Sequence, residues 1–383
     1  MTTDALRSRL PHVGTSIFSV MSKLAADVGA INLSQGFPDF DCDPALVDAV
    51  ARHMRAGLNQ YPPMQGVLAL REAIAGHYRT AHGASYDPVN EVTVTSGATE
   101  AIFDAIAAVV HPGDEVIVLE PCYDSYVPGI ALNGGVPVVV SLQPPDYRID
   151  WTAVRDAVSP RTRLLMINTP HNPSGSIISP GDIAALTAIV RDSNLFVISD
   201  EVYEHIIFDG AQHESLARYP ELAARSFIVG SFGKTYHVTG WKVGYAVAPA
   251  ALTAELRKVH QYVTFTTITP FQHAIAEFFA ARTGLDEIPR FYQRKRDLFL
   301  RQMEGSRFRT LPCRGTYFQL MDYSAISELP DADFAIWMTK EHGVASIPTS
   351  PMLLRAPAPR VVRFCFAKKD ETLERATERL RSI

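Results

Sequence analysis

Two residues that could carry chemistry each come after a run of apolar residues. Asp200 directly follows LFVIS, and Lys234 lies in SFGKTYHVTGW, just after FIVGS. A carboxylate at the end of a buried strand needs a cationic or hydrogen-bonding partner, although it can also serve only as a helix cap. A lysine in such a crevice becomes nucleophilic when burial and nearby cations lower its pKa. An amine and a carboxylate of this kind could bind an aldehyde and a ring nitrogen.

Small, aromatic and amide residues follow the other predicted strands. They are Gly97 and Ala98 after EVTVT, Tyr123 and Tyr126 after EVIVLEP, Asn172 after RLLMINTP, and Tyr203 shortly after Asp200. Each also has a purely structural explanation, as part of a helix cap, a packed core or a turn. Together they offer amides for a phosphate, a platform for a ring and partners for its polar atoms. This inventory predicts a site for pyridoxal phosphate.

Gly233-Lys234-Thr235 is also how a nucleotide-binding P-loop ends, but that interpretation fails. The P-loop needs a glycine five positions before Gly233, where this chain has Ile228. The residues after Lys234 are β-branched and aromatic, which does not favour the helix that a P-loop requires. No G-x-G-x-x-G follows a strand, and the twelve histidines contain no H-E-x-x-H and no tight cluster along the sequence. We therefore expect neither a dinucleotide site nor a metal site.

The elements that must position these residues alternate between short apolar strands and longer helical patterns from about residue 91. Such alternation predicts an α/β fold, a mostly parallel sheet covered by helices on both faces. In such sheets ligands bind beyond the carboxyl ends of the strands. The C-terminal part, with strands in 315–324 and 360–368, predicts a smaller α+β domain, linked to the sheet by a helical stretch over 270–305. We predict an N-terminal segment 1–45 that packs with the small domain, a large domain 46–285 and a small domain 286–383.

The composition limits the partners and the location. A net charge of −5 argues against nucleic acid, and no apolar run is long enough for a membrane span. Four cysteines lie far apart without a C-x-x-C pair, which suits free thiols in a reducing compartment. With no apolar signal segment at its start, the protein is expected to be cytoplasmic.

Seven motifs, in family order, resemble those of the class I pyridoxal-phosphate aminotransferases of fold type I. They are NQYPPMQG (59–66), SGATEA (96–101), EPCYDSY (120–126), NTPHNPSG (168–175), SDEVYEH (199–205), SFGKTYHVTGWKVGY (231–245) and RFCFAK (363–368). They span most of the chain, and the lysine and aspartate motifs are highly specific. The sequence is most similar to the branch of kynurenine/glutamine transaminases and bacterial methionine aminotransferases. Lys242 stands where many class I members have arginine, but lysine is usual in that branch.

The resemblance implies a role for each matching residue. Lys234 would bind the cofactor aldehyde and shuttle the proton, Asp200 would pair with the pyridine nitrogen, and Asn172 and Tyr203 would contact the phenolic oxygen. Tyr123 would stack on the ring. The phosphate would be held by Gly97, Ala98, Ser231 and Lys242, together with Tyr61 from the other subunit of a homodimer. Arg363 would bind the substrate α-carboxylate, and Gly36 and Asn172 would contact the substrate. Without the resemblance, Arg363 would be interpreted as an edge-strand arginine that reaches solvent.

The implied activity is transfer of an amino group from an amino acid to a 2-oxo acid by a ping-pong mechanism. We find no second arginine motif for a side-chain carboxylate, and expect an apolar lining from Phe37, Tyr61, Tyr123 and Phe265. This favours methionine, aromatic, kynurenine or glutamine-type substrates. A β-lyase acting on cysteine conjugates or cystathionine shares the same motifs and remains an alternative. A non-catalytic regulator that senses the cofactor should carry a helix-turn-helix module, and the segment before Gly36 is too short for one.

Overall fold

Strands and helices alternate along the computed structural model, which describes residues 7–383. The strands are β1 (Ile31–Asn32), β2 (Val92–Thr95), β3 (Glu115–Glu120), β4 (Val136–Ser141), β5 (Thr162–Asn168), β6 (Phe196–Asp200), β7 (Ser226–Ser231), β8 (Gly244–Val247), β9 (Arg309–Thr310), β10 (Phe318–Asp322), β11 (Val344–Ala345), β12 (Ile347–Pro348) and β13 (Val361–Cys365). The α-helices are α1 (Ile17–Val28), α2 (Pro44–Arg55), α3 (Leu68–His77), α4 (Gly97–Val109), α5 (Tyr126–Leu132), α6 (Trp151–Asp156), α7 (Pro180–Arg191), α8 (Pro220–Ala223), α9 (Phe232–Thr235), α10 (Ala250–Val263), α11 (Thr269–Ala280), α12 (Ile288–Met303), α13 (Asp331–Glu341) and α14 (Asp370–Arg381).

A seven-stranded sheet in the order β2-β8-β7-β6-β5-β3-β4 forms the centre of the larger part. Its strands are parallel except for β8, which pairs antiparallel with both β2 and β7. Alternate strand residues enter two separate apolar cores: Val116 and Val118 pack in the core with α4 and α10, whereas Ile117 and Leu119 pack in the core with α3 and α7. Because strand side chains alternate between faces, near-continuous apolar strands require helices on both sides. The predicted α/β fold class is confirmed.

Three features of the chain differ from the sequence predictions. Strand β8 was not predicted; there Gly244 lies so close to the start of α4 that a Cβ would come within 2.6 Å of the Ala98 nitrogen. The helical stretch over 270–305 is two helices, because Arg282 and Gly284 take left-handed backbone conformations between α11 and α12. The N-terminal segment contains α1, whose ends are set by the Ser16 cap and by Gly29 in the left-handed conformation.

The C-terminal part contains an antiparallel sheet in the order β12-β13-β10-β9. Strand β13 pairs with β10 on one side and β12 on the other, so Arg363 lies on an inner strand opposite Leu320 and Ile347. The interpretation of Arg363 as an edge-strand residue is therefore wrong. The N-terminal β1 pairs in parallel with β11 of this part. The domain boundaries at residues 45 and 285 remain a prediction.

No helix within residues 7–383 is both long enough and apolar enough to cross a lipid bilayer.

Candidate active site

A cavity of about 230 Å³ lies beyond the carboxyl ends of the parallel strands. The fold brings eleven of the predicted site residues to its wall: Gly36, Gly97, Ala98, Tyr123, Asn172, Asp200, Tyr203, Ser231, Lys234, Lys242 and Arg363. They come from loops after β2, β3, β5, β6 and β7, from β13, and from the segment after β1. Their convergence follows from the topology, since parallel strands end at one edge of the sheet.

Lys234 lies on the short helix α9, just beyond the end of β7. Its Nζ donates to the Tyr317 hydroxyl at 2.9 Å and approaches the Gly36 carbonyl oxygen at 3.4 Å. The Tyr317 hydroxyl itself donates to the Gly36 carbonyl at 2.6 Å. Burial, assisted by the positive charges of Arg363 and Lys242, lowers the pKa of Lys234 to about 8. About a tenth of this amine is therefore unprotonated at pH 7, whereas a lysine with the usual pKa would be almost entirely protonated, and a nucleophile or base requires the unprotonated form.

Asp200 ends β6 and is almost completely buried. The Tyr126 hydroxyl donates to Asp200 Oδ2 at 2.5 Å, and the Val202 N–H donates to Oδ1 at 3.3 Å. Burial raises the pKa of Asp200 to about 6, while the Tyr126 hydrogen bond acts in the opposite direction. The carboxylate is thus available to accept a further hydrogen bond or to face a cation in a desolvated environment.

The N-terminus of α4 and the Lys242 side chain together form a site suited to an anion. Gly97, with φ of 78°, begins α4, and a Cβ on it would come within 3.0 Å of Lys242 Nζ. Lys242 itself has a left-handed backbone with φ of 54°, which turns its side chain back toward this helix. The Ser231 hydroxyl caps α9 by accepting from the Gly233 N–H at 3.2 Å. Free amides at a helix N-terminus beside a lysine favour a phosphate or a similar anion.

Arg363 is 1% exposed, and its guanidinium is held on several sides. Nη1 donates to the Asn172 side-chain oxygen at 2.8 Å, and Nη2 donates to the Ser34 carbonyl at 3.2 Å. The guanidinium carbon lies 3.8 Å from the centre of the Phe318 ring. Its Nε has no hydrogen-bond partner among residues 7–383. A buried, oriented guanidinium with an unused donor is well suited to bind a carboxylate.

Two tyrosines on the cavity wall are fixed by aromatic contacts. Tyr203 packs edge-on against Tyr317 with 5.3 Å between the ring centres, and Tyr123 packs edge-on against Tyr126 at 5.8 Å. Burial raises the pKa of both Tyr203 and Tyr123, so their hydroxyls stay protonated. They can therefore act as hydrogen-bond donors or as ring platforms.

Three predicted site residues do not line the cavity of this chain. Tyr61 is 84% exposed and contacts Phe265, 40% exposed, edge-on with 5.7 Å between ring centres. Phe37 is also exposed, and its ring lies 5.2 Å from Lys368 Nζ on the outer side of the N-terminal segment. The roles of these three residues in binding cofactor or substrate remain predictions.

Sequence reasoning missed Tyr317 and Phe318, which contact Lys234 and Arg363 respectively. Both lie in a stretch whose pattern predicts only a strand, and no local pattern marks either one as part of a site. The sequence places Tyr126 after β3, but its bond to Asp200 joins residues 74 positions apart and has no sequence signature.

The chain is similar to known aminotransferases over almost its whole length. The family model described as aminotransferase class I and II matches residues 28–380. The chain is 51% identical to methionine aminotransferase of Escherichia coli (strain K12), covering 100% of both chains. It is 33% identical to kynurenine–oxoglutarate transaminase of Dictyostelium discoideum, covering 96% of this chain and 94% of that one. The crystal structure of YbdL from Escherichia coli, reported with a methionine aminotransferase function, superposes with a TM-score of 0.96 at 51% identity, covering 99% of each chain.

Proposed function

Because the chain belongs to the class I and II aminotransferase family and is a transaminase, we propose that it binds pyridoxal phosphate in the cavity described above. We further propose that it transfers the α-amino group of methionine, or of an aromatic, kynurenine or glutamine-type amino acid, to a 2-oxo acid. The observation that carries the proposal is the buried Lys234 amine, with a lowered pKa, in one cavity with the Asp200 carboxylate and the Arg363 guanidinium.

The residues present fit the chemical groups of this cofactor. The start of α4 with Lys242 and Ser231 would hold the phosphate, and Gly97 leaves the space that a side chain would fill. Asp200 would face the ring nitrogen, and Lys234 would take the aldehyde. Contacts of Asn172 and Tyr203 with the phenolic oxygen, and stacking of Tyr123 on the ring, complete the proposed site.

When bound, the cofactor supplies an aldehyde for the substrate amine and a conjugated ring that withdraws electrons from the substrate α-carbon. The residues of this chain supply binding and proton transfer. Lys234 Nζ, with a pKa near 8, would accept the α-proton and return it, held in place by Tyr317 and Gly36. Arg363 would bind the α-carboxylate, fixed by Phe318 and Asn172.

The cations of the cavity support the choice of substrate. Of the residues described, Lys234, Lys242 and Arg363 are the cationic side chains that line it. All three already have proposed tasks, so this chain's lining leaves no cation for a substrate side-chain carboxylate. Apolar side chains, among them Phe18 and Phe318, line the same cavity. An uncharged amino acid of the methionine or aromatic type is therefore favoured over aspartate.

Covalent trapping tests the cofactor assignment without relying on activity. Borohydride treatment of the purified holoenzyme, followed by peptide mass mapping, is expected to place the reduced cofactor on Lys234. Lys234→Ala should lose both the adduct and turnover, whereas Lys258→Ala, at a lysine whose side chain is 70% exposed, should keep both. An adduct on another lysine, or turnover by Lys234→Ala, would refute the assignment.

Steady-state kinetics with a panel of amino donors test the substrate. We expect kcat/KM for methionine or phenylalanine to exceed that for aspartate, and a higher value for aspartate would show the substrate proposal to be wrong. Pyruvate and ammonia formed from a cysteine conjugate without a 2-oxo acid acceptor would indicate the β-lyase reaction instead.

The assembly and the location are also proposed. A homodimer would let the exposed Tyr61 reach the phosphate site of the other subunit, and a cytoplasmic location fits the separated, unpaired cysteines.

A further inference from the structure

Four histidines that are scattered in the sequence lie together around Glu201 and Glu204, the two acidic residues on either side of Tyr203 in the chain. We call His77, His82, His205, His213, Glu201 and Glu204 the histidine cluster. His77 Nε2 and His82 Nε2 each lie 3.1 Å from the same oxygen of Glu204, and His205 Nε2 lies 3.5 Å from its other oxygen. His213 Nε2 lies 2.8 Å from Glu201. No tight cluster was expected from the sequence, so this grouping is a product of the fold.

An irregular helical turn makes the central part of the cluster possible. His77 ends α3, and Tyr78–His82 continue it as a π-helical turn. On an α-helix, residues five apart point roughly 140° away from each other and could not share a partner. The wider π-turn rotates His82 onto the side of His77, and such turns often occur at functional sites.

We propose that His77, His82 and Glu204 bind a divalent transition-metal ion, with zinc as the best match. Two imidazoles and a carboxylate are a common zinc ligand set, and ligands at about 2.0–2.1 Å in a tetrahedron lie roughly 3.3 Å apart. The three ligand atoms lie within 4.8 Å of one another, and the two His–Glu distances of 3.1 Å are close to that spacing. Their side chains are 3%, 6% and 8% exposed, so the ion would be bound in a largely desolvated place.

The surroundings supply a route of entry. His205 lies outside the three-residue group, with its Nε2 3.5 Å from the other oxygen of Glu204, so a water molecule would complete the ligand set. His77 also lines an open cleft of about 630 Å³ between α3 and α11, through which an ion or a water ligand could reach it. Glu204 lies on the loop that follows Asp200 and carries Tyr203, and it also accepts from the Tyr245 hydroxyl at 3.2 Å. The ion would therefore anchor the loop that begins after Asp200, and it would not touch the substrate.

The outer shell of the site limits its affinity. Metal-bound histidines usually donate their second N–H to a carboxylate or carbonyl, but Nδ1 of both His77 and His82 has no partner among residues 7–383. We therefore expect binding about 10–100-fold weaker than at a site with a full outer shell.

The test uses the full-length holoenzyme, dialysed against a chelator and then titrated with zinc in the absence of phosphate. Binding is followed by competition with a chromophoric chelator and by elemental analysis after gel filtration. We expect one zinc per chain, a higher Tm with zinc, and loss of binding by at least about 100-fold in His77→Gln/His82→Gln, where the amides keep a donor to Glu204. X-ray absorption of the zinc-loaded wild type should show imidazole ligands, a readout that does not depend on any variant folding.

Two control variants separate this site from other candidates. His53→Gln alters a second histidine of the same cleft, which pairs with Glu277. Asp104→Asn alters the buried group of Glu100, Asp104 and His260, whose oxygens and nitrogen are similarly close. Both should bind zinc as the wild type does. Absence of stoichiometric zinc in the wild type would overturn the proposal, and the cluster would then be explained by imidazole N–H groups that donate to Glu204. Loss of zinc binding in either control variant would also overturn it.

Discussion

At the scale of residues, Asp200 depends on a side chain that is not expected to touch the substrate. Burial raises the pKa of Asp200 to about 6, and the Tyr126 hydroxyl, at 2.5 Å, keeps it from rising further. Tyr126 is itself buried, and burial raises the pKa of its hydroxyl well above the usual value, so it stays a hydrogen-bond donor. We therefore regard Tyr126 as a positioning residue that maintains the charge of Asp200.

Tyr126→Phe tests this role. Loss of the hydrogen bond should raise the pKa of Asp200, so that the carboxyl group becomes protonated at a higher pH than in the wild type. The acid limb of the kcat/KM profile is expected to move to higher pH by about one unit, with little loss of activity at pH 8.

Tyr123→Phe is the matched control, because it removes a nearby phenol hydroxyl, on the cavity wall, that is not bonded to Asp200. An unmoved acid limb in Tyr126→Phe, or an equal shift in both variants, would contradict the role of Tyr126.

At the scale of elements, helix α4 connects the anion site with a buried ionic group. Its first residue, Gly97, lies against Lys242, and its first turn carries Glu100. One turn later, Asp104 faces His260 of α10, whose Nδ1 lies 2.9 Å from Glu100 and 3.6 Å from Asp104. Helix α4 is thus fixed at its N-terminus by the close contact between Gly97 and Lys242, and further along by the ionic contacts of its acidic residues with His260.

Gly97→Ala should weaken cofactor binding more than it weakens the fold. The φ of 78° costs an L-residue about 1–2 kcal/mol, and the new methyl group would displace the Lys242 amine. We expect a Kd for pyridoxal phosphate at least about tenfold higher, measured by fluorescence titration of the apoenzyme.

Gly57→Ala is the control, since Gly57 has a φ of 86° but open space around its Cβ position. It should lose a similar amount of stability and keep the cofactor affinity. Unchanged affinity in Gly97→Ala would show that Lys242 is not held against this glycine.

Asp104 makes the stability of the fold depend on pH. Its carboxylate oxygens have no hydrogen-bond partner among residues 7–383, and burial raises its pKa to about 6 from 3.8. Between these values the folded state binds more protons than the unfolded state, so the unfolding free energy falls as pH rises from about 4 to 6. The loss contributed by this group is about 2–3 kcal/mol.

Asp104→Asn should abolish this contribution, and the variant is expected to be more stable than the wild type at pH 8 but not at pH 4.5. Urea unfolding at the two pH values measures the difference. Asp48→Asn, at an exposed position of α2, should leave the pH dependence unchanged. Equal stability of Asp104→Asn and the wild type at pH 8 would contradict the assignment.

At the scale of the whole molecule, the cavity joins parts that are distant in the chain. Lys234 comes from α9 at the edge of the large sheet, Arg363 from the antiparallel sheet, and Gly36 from the segment after β1. Tyr61 and Phe265 form an exposed aromatic pair outside this cavity, which fits the proposal that they face a second copy.

Mixing two inactive variants tests whether active sites are shared between subunits. Lys234→Ala and Tyr61→Ala should each have little activity as homodimers. After joint refolding, half of the dimers are mixed, and each mixed dimer has one site with both Lys234 and Tyr61, so about a quarter of wild-type activity should return. Lys234→Ala mixed with Arg363→Ala is the control, because both residues serve the same chain's site and each mixed dimer would have two defective sites. No recovery with Tyr61→Ala would contradict the shared site.

Local patterns in the sequence determined the parallel strands of the large sheet and the residues at their ends, but not the antiparallel β8. Runs such as LFVIS are apolar because both faces of the sheet are covered, so they are recognisable without any knowledge of their neighbours. Once the sheet is taken as parallel, Asp200 and Lys234 must lie at the same edge, which is why the candidate site could be predicted. The motif resemblance then placed Arg363 and Gly36, which the strand rule alone did not.

Only the tertiary structure decided which side chains meet across long separations. The bond between Lys234 and Tyr317 joins residues 83 positions apart, and Glu204 meets His77 across 127 positions. The burial of Arg363 depends on β13 lying between two other strands, and the antiparallel β8 depends on the close approach of Gly244 to α4. These contacts result from the packing of whole elements against one another. A short segment of sequence does not determine which other element will pack against it.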